Sequence, residues 1–311
     1  MNRHSNHYQQ TGVVIITALF IMALTTALAV LALTRFRHDT QRTILVSHDV
    51  QAALYAQGAL AWAEDVLKDN FLQKNKKNPI DAVNLQLPLH QESHYAISTT
   101  ITDMQARYNL NLLTDATRQQ AFAQLLVAID KNISKQKALS LAKNIAVWIG
   151  AETSPKQDNY YLKLTPPYRA AHQPMQKVSE LRMVQGFDAK LYLQLLPYIT
   201  ALPSQAMINV QTAPWQVLMA IKLGMTSDTA QAITRIRATQ PFVTQADLSN
   251  NDLIKNQQIP LTMLTTTSEY FLIKTTIKFD QQRWIFLDLL HRQIFKDKPI
   301  ITKVWHSRGA E

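Results

Sequence analysis

From Val13 to Leu33 the chain carries 21 residues without a charge, nearly all of them apolar. As a helix this run is about 31 Å long at ~1.5 Å per residue, which matches the ~30 Å hydrocarbon core of a bilayer. It is therefore long enough to cross a membrane. A secretory signal peptide would have a shorter apolar region, about 7 to 15 residues, with a small-residue cleavage site on its far side. Here a glycine, Gly12, stands on the near side, between a polar leader and the apolar run. The alternative is an ordinary single-pass anchor in which Gly12 is incidental.

Charge around the span pulls the other way on orientation. Arg3 precedes it while Arg35, Arg37 and Arg42 follow it, so the positive-inside rule alone places the large carboxy-terminal part in the cytoplasm. About 275 residues remain after the anchor, enough for one large or two modest domains at ~100 to 200 residues each. With 47% hydrophobic and 17% charged residues the remainder is globular, and no second apolar run is long enough to cross.

The formal charge of +10 is spread out: Lys74, Lys76 and Lys77 in one turn, then Lys131, Lys135, Lys137 and Lys143 along a helical stretch. Dispersed lysines mark a solvated face, and no nucleic-acid partner is expected from them. The absence of cysteine excludes a disulfide framework, a thiolate zinc site and a cysteine nucleophile. The nine histidines are scattered, and the sequence holds no HExxH pair, no Gly-x-Ser-x-Gly elbow and no glycine-rich phosphate loop. Glu64 and Asp65 are neighbours on a helix and diverge by ~100°. No catalysis is expected.

Beyond the span a helical pattern continues to about Leu72. Val46, Ala53, Leu60 and Leu67 repeat every seven residues, with Ala56 and Ala63 between them, which draws a narrow apolar seam. Pro79 and Pro88 end helical order. From Tyr95 to Ile101 the pattern switches to period two, a half-buried strand, and Arg107 to Leu113 can pair with it as a hairpin. From Thr114 to about Leu264 the pattern is helical with breakers. Phe122, Leu125, Leu126 and Ile129 form one stripe, and Leu141, Ile145, Trp148 and Ile149 another, while Ser179, Asp188, Thr212 and Ser227 are candidate caps. Period two returns from Phe271 to Phe279, and Trp284 to Leu290 can fold back on it. Because a lone hairpin is marginal, the strands at the two ends are expected to join in one antiparallel sheet. The fold class is α+β: a long amino-terminal helix and a sheet, with a large all-helical domain inserted between the strands.

Taken in order, GVVIITALFIMALTTALAVLAL from Gly12, RYNLNLL at Arg107–Leu113, YYLKLTPPYR at Tyr160–Arg169, VSELRMVQGF at Val178–Phe187, LLPYITALP at Leu195–Pro203 and INVQTAP at Ile208–Pro214 resemble the K-type minor pseudopilins of type II secretion systems. The resemblance runs from Gly12 to about Gln293. It implies a pilin-like precursor organised as leader 1–12, transmembrane segment 13–34, pseudopilin helix and first strands 35–113, inserted helical domain 114–265, closing strands 266–295 and tail 296–311. A prepilin peptidase would cut between Gly12 and Val13, leaving a methylated amino terminus at Val13. The carboxy-terminal part would lie in the periplasm, against the charge count. The implied partners are inner-membrane lipid and the I-type and J-type minor pseudopilins, joined at the tip of a pseudopilus that moves folded proteins across the outer membrane.

Four expectations attach to particular residues. Most pilins carry glutamate at the fifth mature position, where this chain has Thr17. A threonine there can bond back to the carbonyl of Val13 and needs no partner, which suits a subunit with nothing above it. The seam Val46, Ala53, Leu60 and Leu67 can receive partner helices, or it can pack on its own sheet. The loop Trp148–Tyr161 corresponds to one associated in the family with calcium, an ion that takes six to eight oxygens. It keeps Glu152 and Asp158 but has Gly150 and Thr153 where further carboxylates belong, so it binds calcium weakly or is held by packing alone. Finally, INVQTAP with the turn Leu223-Gly224-Met225-Thr226 can be read as a helix-hairpin-helix element of a membrane-tethered DNA receptor, although the turn has one glycine where two are expected.

Overall fold

The apolar run folds as part of one uninterrupted helix, α1 (Gln10–Gln73), of 64 residues. The computed structural model describes residues 10–73, 85–86, 90–91, 95–203, 205–296 and 298–309. The leader's Arg3, the lysines 74, 76 and 77, and Pro79 and Pro88 lie outside them. The chain divides into two units, Met1–Tyr55 and Ala56–Glu311.

From Val13 to Leu33 the apolar side chains are exposed: Val13 is 63% exposed and Phe20 67%. Such a surface is costly in water and costs nothing in lipid. The threonines of this stretch fit the same solvent. Thr25 donates to the Met22 carbonyl at 3.0 Å, Thr26 to the same oxygen at 2.7 Å, and Thr34 to the Val30 and Leu31 carbonyls at 3.0 and 2.8 Å. No hydroxyl among them needs water.

The second unit is built on one antiparallel sheet. Its strands are β1 (Leu85–Gln86), β2 (His90–Gln91), β3 (Tyr95–Asp103), β8 (Tyr270–Phe279), β9 (Gln282–Phe295) and β10 (Lys298–Arg308), in the order β1-β3-β8-β9-β10 with β2 also on β3. As expected, strands from the two ends of the chain pair directly, with Ile97 opposite Ile277 and Ile101 opposite Ile273. Period two then sorts the side chains. Ile101, Phe271, Ile273 and Leu290 meet Ala63 and Leu67 of α1 on one face. Tyr270, Leu272, Leu287 and Leu289 meet Met104, Leu202 and Ala206 on the other. Each large side chain buried in these two layers stabilises the sheet by about 1.5–3 kcal/mol.

Between β3 and β8 lies the helical insert: α2 (Ala116–Ile129), α3 (Lys135–Trp148), α4 (Pro155–Leu162), α5 (Ala189–Leu195), α6 (Trp215–Met219), α7 (Ser227–Thr239), α8 (Gln245–Asn250) and α9 (Asp252–Asn256). Both expected stripes point inward, with Phe122, Leu125, Leu126, Leu141, Ile145 and Trp148 buried in its core. The lysines 131, 135, 137 and 143 are exposed.

Several expectations are corrected. Residues 107–113 form no hairpin with β3. Instead β4 (Tyr108–Asn109) pairs in parallel with β5 (Ile199–Thr200), and Leu110–Leu112 close a 3-10 turn. This segment belongs to the insert, because the side chains of Asn109 and Asn111 hydrogen-bond the Leu202 carbonyl at 3.1 and 2.8 Å. A second parallel pair, β6 (Ile208–Asn209) with β7 (Leu264–Thr265), closes the far end. Residues 296–311, read as a tail, carry β10, which runs beside β9 from Lys298 to Arg308. Asp188 caps α5 as expected, accepting from the Leu191 N–H at 2.7 Å. Ser179 does not cap, since Glu180 reaches back to the Gln176 and Lys177 N–H groups at 2.8 and 3.2 Å. Ser227 is the first helical residue, and the cap is Thr226, which accepts from Thr229 N–H at 3.2 Å. Thr212 turns its hydroxyl to Asp103, and Pro214 precedes α6.

Candidate functional site

At the amino-terminal junction the helix makes no demand for glycine. A methyl group at Gly12 would meet nothing within 4 Å, and glycine inside a helix is about 1 kcal/mol worse than alanine. Stability therefore does not account for Gly12. One turn later Thr17 Oγ1 donates to the Val13 carbonyl at 3.0 Å, as expected, and to the Val14 carbonyl at 2.9 Å.

The seam residues divide. Leu67 is 1% exposed and, with half-buried Leu60, belongs to the layer between α1 and the sheet. Val46 is 59% exposed and Ala53 half-buried. The part of the seam at Leu60 and Leu67 thus serves the protein's own core, and Val46 is exposed.

The loop after α3 is fixed by rings. Trp148 and Tyr161 meet edge to face at 5.5 Å, and Tyr168 lies 5.4 Å from Tyr161. Gly150 sits at φ +78°, and a side chain there would press to 2.8 Å from the His172 carbonyl oxygen. That position cannot hold a carboxylate with this backbone. Glu152 accepts a 2.7 Å hydrogen bond from Gln119 Nε2, and the other atom of that amide, Gln119 Oε1, is buried without a partner. Asp158 lies in α4, and its side chain is outside the described residues. Among the described residues no three His, Cys, Asp or Glu side chains gather to hold a metal ion.

At the turn before α7 the Gly224 N–H, which a phosphate would need, donates to Gln124 Oε1 at 2.7 Å. The Met225 N–H donates to the Lys222 carbonyl at 3.2 Å.

Two buried polar nodes escaped the sequence reading. Asp103, at the end of β3 and 1% exposed, accepts from Gln105 N–H at 2.8 Å, Ser268 Oγ at 2.6 Å, Thr212 Oγ1 at 2.7 Å and Asn209 Nδ2 at 3.4 Å. It draws together the exit from the sheet, the insert and the return to β8. Arg292 of β9, 2% exposed, donates to the Leu67 carbonyl at 3.1 Å and the Ser268 carbonyl at 2.8 Å, with its guanidinium over Phe71 and Phe271 at 5.4 and 4.7 Å. It fastens the end of α1 to the sheet. The only sequence signal for either is a lone charge inside a period-two run, which is rarely buried without dedicated partners.

Residues 106–204 and 208–267 match two family models, both described as type II secretion system protein K. A type II secretion system protein K of Pseudomonas aeruginosa is 27% identical over 302 residues, covering 91% of this chain and 89% of its own length. One of Pectobacterium carotovorum is 28% identical over 313 residues, covering 91% and 93%. A chain in the crystal structure of the GspK-GspI-GspJ complex from the type 2 secretion system of enterotoxigenic Escherichia coli superposes with a TM-score of 0.67. It is 24% identical, and the match covers 87% of this chain and all of that one. At that identity the likeness speaks for the fold.

Proposed function

The chain belongs to the type II secretion system protein K family, and on that premise we propose that it is a minor pseudopilin, cut after Gly12 and seated at the tip of a pseudopilus. The observation that carries this reading is α1. Its first stretch is exposed, uncharged from Val13 to Leu33 and mostly apolar, while its last stretch, from Ala56, packs on an antiparallel sheet interrupted by a helical insert. In this reading Val13–Leu33 anchors the protein in the inner membrane, the unit from Ala56 stands in the periplasm, and the role is mechanical.

The I-type and J-type subunits are the proposed partners, with Val46 on the contact surface. The name of the similar complex supports that choice. Thr17 suits the tip because its hydroxyl is satisfied within its own helix, where a carboxylate would call for a cation from a neighbouring subunit. A photo-crosslinker placed at Val46 in the full chain, in membranes that also hold the two partner subunits, tests the assembly. Capture of a partner at Val46 and none at Leu67 is the expected result, and no capture at Val46 together with no co-purification would defeat it.

The loop of Glu152 and Asp158 is further proposed to bind calcium weakly. Glu152 supplies a carboxylate oxygen, and the unpartnered Gln119 Oε1 beside it supports the assignment. Calcium at millimolar concentration, typical of weak extracellular sites, should then raise the melting temperature, and an unchanged melting temperature removes this site.

A further inference from the structure

Helix α2 carries two apolar faces. Phe122, Leu125 and Leu126 point into the core of the insert. Ala123, Val127 and Ala128 recur at spacings of four and one on a second face, and they line an open groove of about 820 Å³. Trp215 and Met219 of α6, Leu223 just beyond it and Leu139 of α3 complete the apolar lining. Trp215, Met219 and Leu139 are half-buried and Leu223 is 43% exposed. Tryptophan and methionine are among the residue types enriched where proteins dock.

The groove is preformed. Gln124 of α2 donates to the Met219 and Lys222 carbonyls at 3.1 and 3.3 Å and accepts from the Gly224 N–H at 2.7 Å. These bonds fasten the turn after α6 to α2. They also occupy both ends of the Gln124 amide, and none of the other polar lining residues is buried, so a small ligand finds no fixed polar anchor here. The charge lies at one end. Lys131 follows α2 and Lys135 opens α3; both line the groove, both are exposed, and neither is in an ion pair among the described residues. No aspartate or glutamate lines it. Asp130, next to Lys131, accepts from the Asn132 N–H and side-chain amide at 2.9 Å each.

We propose that this groove docks an amphipathic helix of another protein, apolar on one side and acidic at one end. Its apolar anchors, spaced three or four residues apart, lie on Val127, Trp215 and Met219, and its carboxylates meet Lys131 and Lys135. An apolar centre with a polar rim is the anatomy of a protein interface. Solvated lysines at that rim attract an acidic partner at long range and reject a basic one. A lipid chain would use the apolar floor but find no fixed place for its head group. The groove lies wholly within the insert, so its occupant does not depend on how the chain is anchored or where it is seated.

The test uses the full chain in nanodiscs of zwitterionic lipid, with empty nanodiscs as the blank. The probe is a fluorescein-labelled, alanine-rich helical peptide of about 18 residues, with leucines along one side and glutamates at one end; a second peptide has lysine for each glutamate. Anisotropy at low salt should show saturable binding of the glutamate peptide and binding about tenfold weaker for the lysine peptide. In Lys131→Glu/Lys135→Glu that order should reverse, with an unchanged melting temperature because both side chains are exposed. Val127→Asp should abolish binding of the glutamate peptide. Overturning outcomes are no saturable binding, equal binding of the two peptides, or an unaltered preference in the double lysine variant. Dodecanoate displacing the glutamate peptide mole for mole would assign the groove to a lipid chain and overturn the proposal as well.

Discussion

Replacing Asp103 with asparagine keeps its shape and changes only what its two terminal atoms can accept. In the native protein one oxygen takes the Gln105 N–H at 2.8 Å, and the other takes Ser268 Oγ at 2.6 Å, Thr212 Oγ1 at 2.7 Å and Asn209 Nδ2 at 3.4 Å. With the amide nitrogen turned to Gln105, two donors face each other. Turned the other way, the hydroxyls of Ser268 and Thr212 can rotate to accept, but the Asn209 amide cannot. In the better orientation three charge-assisted bonds become neutral ones, at about 1 kcal/mol each, and Asn209 Nδ2 loses its long 3.4 Å bond while keeping Ser268 Oγ at 2.8 Å. Relief from burying a carboxylate works in the opposite direction. With the carboxylate met by four donors that relief is the smaller effect, so Asp103→Asn should lose about 2–4 kcal/mol. Asp103→Ala should lose about 3–5 kcal/mol, because the four donors lose the buried acceptor that they share. For a unit of this size the asparagine loss lowers the melting temperature by about 5–12 °C. Thermal unfolding of the full chain in detergent, followed by tryptophan fluorescence, measures it. An asparagine variant within about 0.5 kcal/mol of the native protein, the range of ordinary surface changes, would refute the reasoning.

Other perturbations probe the same frame. Arg292→Ala removes the donor to Leu67 and Ser268 and the cation between Phe71 and Phe271. It should lose about 3 kcal/mol in urea unfolding, and a loss under 1 kcal/mol would mean that it does not fasten α1. Tyr108 is wholly buried against Phe122, its hydroxyl has no partner, and burial pushes its pKa up. Tyr108→Phe should therefore gain about 1 kcal/mol, and a loss would reveal a hidden partner for the hydroxyl. Asp247 closes the capping box of α8, and hydrogen bonds from the Thr244 and Val243 backbone hold its carboxyl below the ordinary 3.8. A depressed pKa adds stability above the unfolded value that is lost as pH falls through the folded one. Amide exchange in α8 should accordingly rise below about pH 4, and in Asp247→Asn the acid-induced rise should vanish.

The features legible in the sequence are those carried by local periodicity. The period-two runs at Tyr95–Ile101 and Phe271–Phe279 became paired strands, and the stripes around Phe122 and Leu141 became core helices. Tyr108–Asn109 was misread because its partner, Ile199–Thr200, is distant in sequence and a two-residue parallel pair has no period to detect. β10 was missed because its inward residues, such as Ile301 and Trp305, stand among Lys298, Lys303, His306 and Arg308, charges that an edge strand tolerates. Thr212 reads as a cap in the sequence because its bond to Asp103 spans 109 positions. At the candidate site the bond of the Thr17 hydroxyl to the Val13 carbonyl is readable from neighbours alone. The Asp103 and Arg292 nodes depend on three-dimensional convergence and are not.

The central claim is that Gly12 marks a cut and that the helix behind it becomes the amino terminus of an assembling subunit. Intact-mass and amino-terminal analysis of the full chain extracted from its native membrane tests this most directly. The predicted result is a protein that begins at Val13, methylated there, and a Gly12 variant that folds but keeps residues 1–12. A native protein that retains its leader, or a Gly12 variant processed like the parent, would contradict it.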